Sequence, residues 1–131
     1  MKNNILNLLK HLYHFLIIAL IVLYLFPGSL IGYFLYGNLG QQPDFISNPI
    51  GTSINHLLYF FLLSILASIL RSKAKNLFNN FYLIFFLSII LELLQIIIPN
   101  RAFEYYDLLA NILGVCAGSV TYRILKWIKF L

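Results

Sequence analysis

Stretches of about twenty mostly apolar residues constrain this 131-residue chain more than any other feature. There are four of them, each bounded by polar or turn residues, and they cover approximately residues 8–26, 54–70, 77–98 and 106–127. At about 1.5 Å per residue, a helix of about 17 to 25 residues crosses the roughly 30 Å of bilayer hydrocarbon. The sequence therefore predicts an all-α membrane protein with four transmembrane helices in one bundle.

The composition supports this fold class and excludes others. Hydrophobic residues make up 61% of the chain and charged residues 10%, whereas an average globular domain has about 25% charged residues. A single cysteine and the lack of any Cys/His cluster at ligand spacing exclude a disulfide scaffold and predict no metal site. The sequence has no P-loop, G-x-S-x-G or H-E-x-x-H motif, so it predicts no cofactor and assigns no reaction.

Basic residues are concentrated at one set of span ends. Eight of the nine lysines and arginines lie before the first span, between the second and third, or after the fourth: Lys2, Lys10, Arg71, Lys73, Lys75, Arg123, Lys126 and Lys129. The positive-inside rule makes this side cytoplasmic and places both termini there, the N-in/C-in topology. The net charge of +5 then reflects topology and attraction to anionic membrane lipids, so we expect no nucleic-acid partner.

The apolar and aromatic stretch 29–36 follows the helix-breaking pair Pro27-Gly28 and allows two interpretations. It either prolongs the first helix past a kink or lies in the membrane interface. The sequence alone leaves both alternatives open.

Polar side chains lie near the predicted outer ends of three spans. Glu92 is about 10 Å below the outer boundary of the third span, and Gln95, three residues on, shares its face. Asp107 begins the fourth span, and Asn111 follows it one turn further on the same face. With a histidine from the second span and an arginine from the last outer loop, these side chains predict a pocket that opens outward. Its predicted binding residues are Glu92, Gln95, Arg101, Asp107, Asn111 and His56.

Each of these residues also has a structural interpretation. Glu92, Gln95 and Arg101 can form a network that fastens the turn between the third and fourth spans. Asp107 can complement the helix dipole, and Asn111 can join two helices by a hydrogen bond. Ionisable groups at membrane depth nevertheless mark functional sites by default, which favours function for Glu92. We also expect Arg101 to form charge-assisted hydrogen bonds with Glu92 and Asp107.

Small residues follow the polar stripe along the fourth span. Gly114 and Gly118, preceded at the same spacing by Ala110, form a small-x-x-x-small face, and Ser64 and Ser68 lie on the second span. This pattern predicts close helix packing. It also allows a third function class, a structural membrane subunit that packs through this face.

Three short motifs follow one another from the third span into the fourth. They are Glu92-Leu-Leu-Gln95, Pro99-Asn-Arg101, and Asp107-Leu-Leu-Ala-Asn111-Ile-Leu-Gly114. In order and spacing they resemble the E-x-x-Q, Pro and Arg turn, and D-x-x-x-N-x-x-G signature of VanZ-like bacterial membrane proteins. The resemblance implies one VanZ-like four-helix transmembrane domain over residues 1–131 of a multi-pass protein in the bacterial plasma membrane.

The start of the second span shares one residue with the family pattern and lacks two others. VanZ-like proteins tend to carry Asp-Lys-x-x-His there, and this chain has Thr52-Ser53-Ile54-Asn55-His56, with the histidine but neither the acid nor the lysine. The founding member of the family is linked to low-level resistance to the glycopeptide teicoplanin. The resemblance therefore implies a role in the cell envelope and marks the same six pocket residues, without supplying a reaction.

The favoured function is a membrane protein whose outer pocket binds an envelope headgroup, an envelope precursor or a glycopeptide-related ligand, in cell-envelope function or antibiotic tolerance. Arg101 would bind a phosphate or carboxylate, and Glu92, His56 and Asp107 would handle protons or sugar hydroxyls. The alternative is a small proton-coupled transporter acting as a homo-oligomer, since small multidrug pumps also have four spans and one membrane acid. The position of Glu92 on one side of the midplane argues against transport.

Overall fold

The computed structural model describes residues 2–43, 51–73 and 81–128, and within them the regular structure is entirely helical. The described helices are α1 (Lys2–Leu25), α2 (Leu30–Tyr36), α3 (Gly51–Lys73), α4 (Phe81–Leu94) and α5 (Tyr105–Trp127). Part of the predicted topology signal lies outside the described residues, namely Lys75 and Lys129. The same holds for the predicted start of the third span at Leu77.

Three of these helices are long and apolar enough to cross a membrane: Asn4–Leu25, Ser53–Arg71 and Tyr105–Trp127. They confirm the first, second and fourth predicted spans as helices. The described part of α4 has 14 residues, about 21 Å of helix, which is shorter than the roughly 30 Å of hydrocarbon. The fold is therefore an all-helical, multi-pass membrane protein, and the cytoplasmic placement of both termini stays a prediction.

The helix of the third span ends earlier than predicted. After Leu94 the chain continues in tight turns, in which the Gln95 N–H donates to the Glu92 carbonyl at 3.2 Å and the Ile98 N–H donates to the Gln95 carbonyl at 3.4 Å. Three β-branched residues precede Pro99, and the residue before a proline avoids the α conformation. The prediction of a helix up to residue 98 was wrong, and the depth of about 10 Å for Glu92 loses its basis.

The stretch 29–36 does not prolong α1. Gly28 has a φ of 95°, which turns the chain, and Ser29 caps the new helix α2 by accepting from the Gly32 N–H at 2.9 Å. The Ser29 N–H donates to the Leu39 carbonyl at 2.7 Å, which closes the turn. The large apolar side chains of α2 are exposed, led by Phe34 at 81%, as the interfacial alternative requires.

Contacts at the helix ends show that α1, α3, α4 and α5 alternate in direction; we call these the four long helices, as distinct from the seven-residue α2. Tyr24 at the end of α1 and Glu92 at the end of α4 contact His56 near the start of α3 and Asn111 near the start of α5. The first turns of α1 and α4 and the last turns of α3 and α5 therefore lie at the other end of the bundle. The described basic side chains of the long helices lie toward that end and are exposed: Lys10, Arg71, Arg123 and Lys126.

The α3–α5 seam, the line of contact along Gly114 and Gly118, is the most extensive contact between two helices. A Cβ atom added at Gly114 would lie 2.5 Å from the Leu57 carbonyl oxygen of α3, and one at Gly118 would lie equally close to the carbonyl one turn further on. Beside them the Ser64 hydroxyl donates to the Val115 carbonyl at 2.8 Å. The predicted close packing through these glycines is confirmed.

Candidate functional site

Six polar side chains from all four long helices meet at the end of the bundle opposite the basic residues. We call them the buried network; its members are Tyr24, Ser53, His56, Glu92, Asp107 and Asn111. Glu92 and Asn111 have no exposed surface, and Asp107 is 3% exposed. The structure thus brings together four of the six side chains that the sequence predicted for one pocket.

Asn111 sets the direction of the hydrogen bonds in the buried network. Its Nδ2 donates to the Ser88 carbonyl at 3.3 Å and to Glu92 Oε2 at 3.2 Å, and because a carbonyl only accepts, the amide has one orientation. Asn111 Oδ1 therefore accepts from the Tyr24 hydroxyl at 3.1 Å. A hydroxyl has one proton, so at 2.6 Å the Tyr24 oxygen accepts from His56 Nδ1. A directed chain runs from His56 through Tyr24 and Asn111 to Glu92.

The two buried acids lie on opposite sides of the His56 ring. Asp107 Oδ2 is 3.5 Å from His56 Nε2, and Glu92 Oε2 is 3.9 Å from Nδ1. Asp107 Oδ1 also accepts from the Ser53 hydroxyl at 2.5 Å, and Glu92 Oε1 accepts from the Glu104 N–H at 3.4 Å. Ser53 stands where VanZ-like proteins tend to have lysine, so in this chain a neutral donor contacts the aspartate.

Arg101 does not hydrogen-bond either acid, contrary to the predicted contacts with Glu92 and Asp107. Its Nη2 donates to the Leu23 carbonyl at 2.6 Å and its Nε to the Phe26 carbonyl at 3.4 Å, both at the end of α1. The last carbonyls of a helix have no intrahelical partner and carry partial negative charge, so they attract a guanidinium. Burial lowers the pKa of Arg101 from its usual range and the charge of Glu92 raises it, and the group stays protonated.

A cavity of about 120 Å³ lies beside the buried network. Its apolar walls come from α1, α2 and α3, with Leu20, Leu30 and Phe60 among them. Its polar lining consists of Tyr24, Ser29, Gln42, Asn55, His56, Tyr59, Gln95 and Arg101. On a comparable scale one water needs about 10–15 Å³, so the cavity has room for a ligand of several non-hydrogen atoms.

The six predicted residues are therefore divided between two connected places rather than lining one pocket. Arg101, Gln95 and His56 line the cavity, whereas the other three belong to the buried network behind it. Tyr24 and His56 belong to both places and connect them. A ligand in the cavity can contact this pair directly.

Two residues of the buried network were not predicted. Tyr24 lies inside an apolar run, where an aromatic side chain is usual in the core or the interface, so no local signal distinguishes it. Ser53 lies in a mostly polar run just before His56, residues 52–55, and that run at a helix start was a usable signal. Asn55 of the cavity belongs to the same run.

The family model described as VanZ/LLP1 matches residues 4–126 of the chain. The matched range includes the buried network and every residue that lines the cavity. It agrees with the family that the motifs of the third and fourth spans resemble. No curated protein and no solved structure matches the chain.

Proposed function

The chain belongs to the VanZ/LLP1 family, and from that premise we propose that it is a plasma-membrane protein whose cavity binds the anionic headgroup of an envelope ligand. That ligand is a membrane lipid, an envelope precursor or a glycopeptide-related molecule. The function served is cell-envelope maintenance or antibiotic tolerance. We assign no covalent reaction to the site.

Arg101 carries this proposal. A guanidinium has five N–H donors, and two of them are used on the carbonyls at the end of α1, which leaves three without a partner among the described residues. These two bonds hold the side chain at the cavity wall. A charged fork that is already oriented and has unused donors suits a phosphate or carboxylate.

The mixed lining of the cavity supports an amphiphilic ligand. Leu30 and Ile31 of α2 contribute apolar surface, and the remaining apolar walls come from α1 and α3. On the same helix α2, Tyr33 and Phe34 are exposed, so the cavity lies next to surface that suits lipid contact. An anion with an attached apolar chain satisfies both kinds of lining.

The buried network supports the site by holding two polar groups at the cavity. Asp107 and Glu92 face the two nitrogens of His56, and Asn111 accepts from Tyr24, so the His56 ring and the Tyr24 hydroxyl each have one favoured orientation. Oriented groups of this kind bind a ligand hydroxyl at a lower entropic cost than mobile ones. We propose this orienting role for Glu92, Asp107 and Asn111, the three residues behind the cavity.

The proposal includes the topology, with both termini cytoplasmic and the cavity on the outer side. The described basic side chains at the other end of the bundle support it, because short basic loops stay cytoplasmic. A reporter fused after Leu131 should be active only in the cytoplasm. Activity restricted to the outside would reverse the orientation.

The binding proposal is tested by purifying the protein with its native lipids and identifying the bound molecules by mass spectrometry. We expect an anionic amphiphile to copurify with the parent and to be lost from Arg101→Gln. The matched control is Arg123→Gln, the same change at an exposed position of α5 that lies toward the end of the bundle opposite the cavity. Teicoplanin tolerance of cells carrying each variant shows whether the ligand serves resistance. Equal amounts of the amphiphile on both variants would contradict the proposal.

A further inference from the structure

Asn55 leaves an unpaired acceptor at the cavity. Its Nδ2 donates to the Pro43 carbonyl at 2.6 Å, and since a carbonyl only accepts, the amide cannot be turned the other way. Its Oδ1 is buried and has no hydrogen-bond partner in the described part of the chain. Asn55 also lines the cavity, together with Arg101.

This acceptor is an exception within the described structure. Every other buried side-chain nitrogen or oxygen of the described residues has a hydrogen-bond partner. An unpaired buried acceptor is destabilising, and native proteins have few of them. A donor on a bound ligand would complete its hydrogen bonds.

We propose that the ligand carries a neutral O–H donor beside its anionic group, and that Asn55 Oδ1 accepts from this hydroxyl while Arg101 binds the anion. This inference rests on the proposed function, whose binding group it uses. An ammonium donor is disfavoured because the Arg101 guanidinium lines the same cavity and like charges repel. The chemistry that fits both residues is a phosphodiester bearing a hydroxylated group, such as glycerol phosphate.

The lipid form of this chemistry suits the cavity better than a soluble one. Leu20, Leu23 and Leu30 give the cavity apolar walls, and a soluble glycerol phosphate has no apolar part to cover them. The occupant is therefore a lipid whose headgroup is a hydroxylated phosphodiester, with phosphatidylglycerol as the simplest probe.

The test compares two anionic lipids of equal charge, one with hydroxyls on its headgroup and one with none. Phosphatidylglycerol and phosphatidylmethanol are both phosphodiesters with one negative charge, and only the former carries headgroup hydroxyls. The parent protein is reconstituted in phosphatidylcholine vesicles that contain both in equal amounts, and native mass spectrometry measures what is retained. We expect phosphatidylglycerol to exceed phosphatidylmethanol by roughly 2- to 10-fold, the factor that one hydrogen bond supplies.

Asn55→Ala should bring this ratio to about one while both anionic lipids are still retained over phosphatidylcholine. Asn7→Ala is the matched control, the same change at an exposed position of α1, and should keep the parental ratio. The ratio does not depend on how much protein folds, so losing the bond to Pro43 does not confound it. If Asn55→Ala yields no protein at all, the ratio measured on the parent still decides.

The outcomes separate this inference from the proposed function. A ratio near one in the parent, with both lipids lost from Arg101→Gln, would overturn the hydroxyl donor and leave the anion site intact. Retention of neither lipid over phosphatidylcholine would overturn both. A preference that survives in Asn55→Ala would remove Asn55 from the site. Displacement of phosphatidylglycerol by added glycerol phosphate would show that the occupant is the soluble form.

Discussion

The α3–α5 seam and the cavity end of the bundle both place polar groups inside an apolar membrane protein, and they do so in opposite ways. At the seam, Gly114 and Gly118 have no side chain, and the Ser64 hydroxyl is paired with a backbone carbonyl. At the cavity end, large polar side chains from four helices meet, and Arg101 and Asn55 keep hydrogen-bonding groups that no other described residue pairs.

This difference separates stability from binding along the same pair of helices. The seam needs no ligand, because the Ser64 hydroxyl is paired with a backbone carbonyl and the two helix backbones pack closely there. At the cavity end, Arg101 and Asn55 have hydrogen-bonding groups that the other described residues do not pair, and in our proposal an anionic ligand with a donor pairs them. In a membrane, where water does not pair buried groups, open hydrogen-bonding capacity indicates where a ligand belongs.

The largest effect is expected at the seam, from Gly114→Leu. The first side-chain atom would already lie 2.5 Å from the α3 backbone, so the two helices must separate. We expect the loss of folding free energy to exceed the value of about 1–3 kcal/mol that is typical of overpacking. The measurement is the yield of monodisperse protein in detergent and its melting temperature. Ala117→Leu introduces the same side chain on an exposed face of α5 and should be tolerated. Equal melting of both variants would refute the assignment of the seam.

Asn111→Leu tests the buried network and should be the second most severe change. It removes the acceptor of the Tyr24 hydroxyl proton and the donor to Glu92 Oε2, at about 1–3 kcal/mol for each lost partner. Tyr24→Phe should then cost less in the Asn111→Leu background than in the parent, as shown by a double-mutant cycle on detergent melting. Strictly additive losses would mean that the directed chain is not formed.

Arg101→Gln should cost about 1–3 kcal/mol of stability, because two hydrogen bonds to carbonyls at the end of α1 are lost. Adding Glu92→Gln should change this loss little, since the two side chains are not hydrogen-bonded to each other and only the longer-range charge of Glu92 acts on Arg101. The coupling between them, measured by thermal melting, should be smaller than that between Glu92 and Asn111. Recovery of stability in the double variant would instead reveal the ion pair that the sequence predicted. Arg123→Gln should stay within about 0.5 kcal/mol of the parent.

The smallest effect separates two serines. Ser53→Ala should cost about 0.5–1.5 kcal/mol, because its hydroxyl bridges α3 to Asp107 of α5. Ser119→Ala should be neutral or slightly stabilising, since Ser119 only donates to the Cys116 carbonyl of its own helix. The melting temperatures of the two variants, measured in the same detergent, show which serine contributes more to stability. A larger loss in Ser119→Ala than in Ser53→Ala would contradict the stabilising role of the Ser53–Asp107 hydrogen bond.

Much of the fold was predictable because apolar length and spacing are local properties of a chain. Three spans could be located to within a few residues, and the Gly114/Gly118 face followed from the four-residue period of a helix. The end of α4 at Leu94 was missed because the apolar run continues past it, so hydropathy marks no boundary. The binding role of the six predicted residues stays a prediction.

The local sequence was enough to identify an all-helical membrane protein of the VanZ/LLP1 family. It was also enough to predict that Glu92, Asp107 and Asn111 lie near one another at one end of a helical bundle. The partners of these groups depended on contacts between residues far apart in the chain. Tyr24 joins His56 to Asn111, and Arg101 turns to the end of α1 instead of to an acid, because helix packing places a hydroxyl and free carbonyls within hydrogen-bonding distance. Hydrogen bonds act over about 3 Å, and no pattern along the chain specifies distances of that order between separate helices.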